Sequence, residues 1–303
     1  MQYISGITQT NLRVFVFLLL SCVLLKLTYI FGSSFWSYEE LFYAMGAKKL
    51  LGGSILYKDF IDMKPPGIYV VYAALVKISG EANLLYAIKI ATLFFQVTTA
   101  FVLYRIAAEI SNRKNALISA VAFIAALSVN RTGWLLYVFT VTLLPWAFSI
   151  FFLVRGNFRL RAADLFYSGF FLALAVLCST QFIIFAALLP LSLLVTGIPA
   201  RQFFFSSSAF LTGFLLPLIS AAAYFYRHAA LYDWYWCNFV WIKYYNGGQS
   251  LLAAGQNLLQ SFVSTYTWIP LYVLAAFGAL NFFRHRKEIS RQRFVFILCL
   301  GGL

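Results

Sequence analysis

Long apolar runs, separated by short polar segments rich in Lys and Arg, recur through this chain and restrict what it can fold into. They fall at about 13–32, 82–104, 115–130, 134–154, 165–179, 181–198, 204–226 and 267–283. A helix rises about 1.5 Å per residue and a bilayer core is about 30 Å thick, so about 20 apolar residues cross it. The runs 115–130 and 165–179 are short and need tilt or neighbours to fit. Of the 303 residues, 62% are hydrophobic and only 11% are charged. A soluble domain carries about a quarter charged residues, so this chain has too few to cover a soluble surface. A soluble globular domain, a disordered chain, a collagen and a disulfide scaffold are excluded on the same ground. The expectation is an all-α, polytopic transmembrane helical bundle.

The net charge of +14 is read as topology rather than as a nucleic-acid footprint, because Lys and Arg collect on cytoplasmic loops. Let the N-terminus lie inside and each run cross once, except the short piece 67–79. Thirteen Lys and Arg then lie inside and eight outside, with Lys26 and Lys89 within runs. Letting 67–79 cross would place the basic stretch 284–293 outside, against the rule. That piece, roughly 20 Å as a helix, is expected to be interfacial or re-entrant. The outer face then holds two substantial loops, 33–81 and 227–266, with six of the nine acids. The second loop is dense in Trp and Tyr, as suits headgroup level. The last run, 294–303, is too short to span, so the chain is read as one transmembrane domain, 1–303, cut from a longer protein. The first run is read as a retained span rather than a cleaved signal. Cys22, Cys178, Cys237 and Cys299 show no metal spacing, and neither His228 nor His285 has ligand-like neighbours. Nothing in the sequence calls for a metal or another cofactor.

The informative segment is the first outer loop. Ser37 followed by Glu40 is a capping box, which predicts a helix from Tyr38 to the Gly52-Gly53 pair. Glu39 falls in its first turn, where the helix dipole favours the ionised form, and Tyr43 lies one turn on along the same face. Asp59, Asp62 and Lys64 follow a turn, and Pro65-Pro66-Gly67 predicts a sharp entry into the next helix. Spacing alone reads Glu40 as a cap rather than a catalyst. It leaves Glu39 open between a catalytic acid and a solvated one, and it reads Lys48 and Lys49 as a face meeting lipid headgroups.

The pattern Glu39-Glu40-x-x-Tyr43-Ala44, Leu51-x-Gly53, Tyr57-x-Asp59 and Lys64-Pro65-Pro66-Gly67 resembles the first outer loop of GT-C glycosyltransferases. It is most similar to bacterial protein O-mannosyltransferases and aminoarabinose transferases. The likeness extends loosely to Trp234-Tyr235-Trp236, Tyr244-Tyr245 and Tyr266-x-Trp268-x-Pro270. It implies an enzyme of the bacterial cytoplasmic membrane, with its N-terminus cytoplasmic. Such an enzyme moves a sugar from a polyprenyl-phosphate donor to an extracytoplasmic acceptor, namely a cell-envelope glycan, a lipid or a protein. The family's leading acid falls on Glu39, one methylene longer than the usual Asp, as general base. Lys64 falls on the Lys of Lys-Pro and would balance charge on the departing phosphate. Arg131, Tyr43 and Asp59 complete the expected donor-phosphate site. Lys89 falls where relatives often carry Arg; the alternative is a snorkelling side chain.

Two departures matter. The stretch from Tyr137 to Thr142 lacks the second acid of relatives, and Leu177-Cys178-Ser179-Thr180 lacks their Lys. They keep open an alternative of another class, a catalytically degenerate structural subunit of a membrane complex. A transporter would need polar groups or broken helices at the midplane, and only Ser179-Thr180-Gln181 offers them.

Overall fold

The computed structural model describes residues 2–32, 37–129, 134–158, 161–187 and 200–241. Among them the chain is helical, and no strand forms beyond an isolated bridge between Leu56 and Phe60. The helices are α1 (Gln2–Leu25), α2 (Leu27–Phe31), α3 (Tyr38–Leu51), α4 (Pro66–Ser79), α5 (Leu84–Ile110), α6 (Arg113–Val129), α7 (Val138–Phe158), α8 (Ala162–Cys178), α9 (Ala200–Arg227) and α10 (Leu231–Tyr235). A 3-10 turn, Thr180–Ile183, follows α8, and a π-helical turn, Trp236–Val240, continues α10.

Three of these segments, Leu84–Ile110, Val138–Arg155 and Arg201–Arg227, are long and apolar enough to cross a membrane. Gln9–Leu25, Pro66–Ser79 and Ala162–Cys178 are shorter apolar helices. The first run breaks at Lys26, a fully buried residue that separates α1 from α2. The runs 267–283 and 294–303, most of the run 181–198 (from 188 on), and the loop from 242 to 266 lie outside the described residues.

Helix packing sets the frame of the site. Glycines carry the tightest seam, between α8 and α9. A Cβ on Gly169 would overlap the Phe210 carbonyl, and one on Gly213 would overlap the Phe166 carbonyl. Small residues of this kind let helix backbones approach where lipid supplies no hydrophobic drive. Across the α7–α8 contact, the buried hydroxyls of Ser149 and Ser168 pair at 3.2 Å. α4 seats its first turn on the end of α8, where Gly67 leaves no room for a side chain beside Cys178.

Candidate functional site

The site grows from the start of α3. The Ser37 hydroxyl accepts from Glu40 N at 3.1 Å, and Glu40 Oε2 accepts from Ser37 N at 3.2 Å. The capping box and the Gly52 end of α3 therefore form as the spacing predicts. Glu40 does more than cap. It is 2% exposed, and its Oε1 accepts the backbone N–H of Leu136, at 3.0 Å, from a segment 96 residues away. Tyr72 donates to the carbonyl of that same Leu136 at 2.9 Å. The two bonds hold the N–H and the carbonyl of one residue, on successive peptide groups, and fix the entry to α7. Burial pushes the Glu40 carboxyl above its ordinary range, against the pull of these N–H donors and of the Lys89 charge.

Fixing Leu136 places Tyr137 beside Glu39. Tyr43 donates to Glu39 Oε2 at 2.8 Å, so the two share a face as predicted. The Tyr137 hydroxyl bonds the same carboxylate. Tyr43 packs edge-on against Tyr69, Tyr72 and Tyr137, with centroids 5.5–6.3 Å apart. Such T-shaped contacts fix ring orientation as well as bury area. Glu39 is half-buried at the rim of this tyrosine cluster.

The loop 52–65 forms the other side. Tyr57 is buried with φ of 73°, a backbone region that β-carbon-bearing residues adopt only when their surroundings enforce it. Here Tyr57 N bonds Phe60 O at 2.9 Å, and its hydroxyl bonds the Lys64 carbonyl at 2.9 Å. The backbone of Lys64 is thereby fixed just before the helix start at Pro66. Asp59 has another use: its exposed carboxylate accepts Ile55 N–H at 2.6 Å and staples the turn. Asp62 lies deeper. It accepts from the Tyr69 hydroxyl and from Met63 N. Burial pushes its carboxyl up, although these bonds and the Lys64 charge oppose the shift. The Asp62 charge is felt at Tyr43 and Tyr57 as well as Tyr69. Asp62 and Tyr137 thus join the site, and no helical or alternating period announces either one. Arg131 lies outside the described residues.

Lys89 does not snorkel. It is 6% exposed, reaches the carbonyls of Ile30 and Gly32 at 3.3 and 3.4 Å, and sits 5.5 Å from the Tyr29 ring centroid. A cation at the end of α2 meets the carbonyls that a helix terminus leaves unpaired and complements its dipole.

Next to the loop is a cavity of about 550 Å³. Leu50 of α3, Leu56, and Pro66, Gly67 and Val70 of the α4 entry form one wall. Phe95, Leu144, Pro145, Phe148 and Phe171 line the rest, and Phe225, which stacks on Trp234 of α10, also faces it. Its lining is almost wholly apolar, so it suits a hydrocarbon guest. No family model and no curated protein matches the chain. Among the described residues, no group of three His, Cys, Asp or Glu is placed to hold a metal ion.

Proposed function

We propose that this chain is a GT-C-like glycosyltransferase of the bacterial cytoplasmic membrane, which moves a sugar from a polyprenyl-phosphate donor to an extracytoplasmic acceptor. The observation that carries the reading is the apolar cavity, whose wall begins two residues after Lys64 and includes Leu50 of the same helix that bears Glu39. A lipid donor needs an oily slot for its tail, a cation for its phosphate and a base on the acceptor side. In this reading the tail occupies the cavity. The phosphate lies at Lys64 and the free backbone N–H groups of the first turn of α4, with Arg131 assisting. Glu39 takes the proton of the acceptor hydroxyl, and the acceptor oxygen bonds to the anomeric carbon. The bond from that carbon to the phosphate oxygen breaks, and the lipid phosphate leaves with the electron pair. Tyr43 and Tyr137 orient Glu39 by bonding its carboxylate, a positioning role. The N-terminus is cytoplasmic, and the loops beginning at 33 and 227 face outward.

The experiment is transfer of radiolabelled sugar from polyprenyl-phosphate donors in membranes containing wild type or Glu39→Gln. General-base catalysis contributes about 10²–10⁴-fold, so the variant's turnover falls by that order while its melting temperature holds. Equal turnover of the two proteins refutes the role of Glu39. Failure of wild type to bind or transfer any donor in the panel favours the structural-subunit reading instead.

A further inference from the structure

Among the described residues, two buried polar atoms beside this site have no hydrogen-bond partner. Asn238 is 1% exposed, and its Oδ1 accepts nothing among the described residues. The Trp234 Nε1–H, also shielded from solvent, donates to nothing there. The two residues are one turn apart on one face of the α10 extension, and Asn238 Nδ2 donates back to the Trp234 carbonyl at 2.9 Å. Asn238 lies in the π-helical turn Trp236–Val240, a local widening frequent at functional sites. A buried donor or acceptor left unpaired is costly, so this face is unfavourable unless something occupies it.

Its place in the fold relates it to the donor site. Trp234 stacks on Phe225 with centroids 5.4 Å apart and planes 15° off parallel, and Tyr57 packs on the same Phe225 at 5.3 Å. Phe225 is also a wall of the apolar cavity, and Tyr57 holds the Lys64 carbonyl. Lys58 ties the first loop to this second one by donating to the His228 carbonyl at 3.0 Å. The orphan pair therefore adjoins the aromatic wall at the Lys64 end of the cavity.

The chemistry of the pair selects its ligand. Oδ1 requires a donor and Nε1–H requires an acceptor. A carboxylate or phosphate only accepts, so it leaves Oδ1 unmet. An ammonium only donates. A hydroxyl does both, and aromatic faces alongside suit the C–H face of a neutral sugar. We propose that Trp234 and Asn238 form a recognition site for hydroxyl groups of the sugar being transferred, and so discriminate which donor is accepted. This inference rests on the glycosyl-transfer reading and adds to it the residues that sense the sugar, separately from those that meet the phosphate and the tail.

The test uses the full chain in nanodiscs and two kinds of probe: undecaprenyl phosphate alone, and the best bound of its glucosyl, mannosyl and arabinosyl esters. Trp234→Phe keeps a ring on Phe225 and removes an N–H that has no protein partner, so the fold is retained. Asn238→Leu keeps the branched shape and removes the acceptor together with the Nδ2 donor to the Trp234 carbonyl. Each variant should weaken binding of the sugar-bearing lipid by about 10-fold and leave undecaprenyl phosphate unchanged. Equal weakening of both probes by both variants marks a structural role and overturns the proposal. No change with either probe means that the pair holds only a water, which also overturns it. If wild type binds neither probe, the glycosyl-transfer reading itself falls, and this inference falls with it.

Discussion

Glu40→Ala tests how the two outer segments are joined. The substitution removes both carboxylate oxygens, leaving Leu136 N–H and Ser37 N–H without their acceptor. Orphaned buried donors cost about 1–3 kcal/mol each. Relief from burying a carboxyl, whose range burial already raises, offsets part of that, for a net loss of about 3 kcal/mol. For a chain of 303 residues that corresponds to a fall in melting temperature of about 5 °C. Thermal unfolding in nanodiscs, followed by tryptophan fluorescence, measures it against Glu39→Gln, whose amide oxygen can still accept from Tyr43 and which should melt within about 1 °C of wild type. The loss of Glu40 also releases Leu136, so Tyr137 no longer stays against Glu39, and under the proposed function turnover falls with stability. A Glu40→Ala protein that melts with wild type would show that the bond across 96 residues of chain contributes nothing, and the account of how Tyr137 is placed would fail.

Asp62 should make stability pH-dependent. Its folded-state carboxyl is raised above the ordinary 3.8 by burial, so its contribution is full below that value and is lost as pH rises through the elevated one. Melting curves from about pH 4 to 7 should therefore fall more steeply with pH for wild type than for Asp62→Asn, and parallel curves would refute the shift. Gly213→Ala should cost about 3 kcal/mol or prevent folding, because the new Cβ meets the Phe166 carbonyl; recovery of monodisperse protein at wild-type yield and melting temperature would show that the seam can relax. Lys49→Cys should react with an impermeant maleimide in intact cells; reaction only after permeabilisation would invert the proposed topology.

Local signals were legible in the sequence. The box at Ser37 and Glu40, the Gly52 end of α3, the Pro66 start of α4 and the Glu39–Tyr43 pair each follow from neighbours within a turn or two. The apolar runs also mark α5 to α9 with boundaries shifted by a few residues. The second role of Glu40 is set by Leu136, far along the chain, and no capping rule can anticipate it. Lys89 is similar: an isolated Lys in an apolar run suggests snorkelling, yet its partners are carbonyls at the end of α2, 57 and 59 residues away. The break at Lys26 interrupts an otherwise continuous hydrophobic run. Asp59 and Asp62 look alike in sequence, three residues apart, and only the three-dimensional loop separates a turn staple from a buried carboxyl.

The glycine seam has a consequence for any guest of the cavity. With backbones in contact at Gly169 and Gly213, α8 and α9 act as one rigid plate, and a long molecule cannot slide in between them without prising the plate apart. α4 offers the opposite boundary. Val70 lines the cavity and is 62% exposed, so the hollow communicates with its surroundings along that helix. A threadlike guest thus has a preferred direction of entry, sideways past α4, and it meets Lys64 at the threshold. Redesigning what the hollow admits is then a matter of trimming single side chains such as Phe148 or Phe171, because the plate behind it holds its shape.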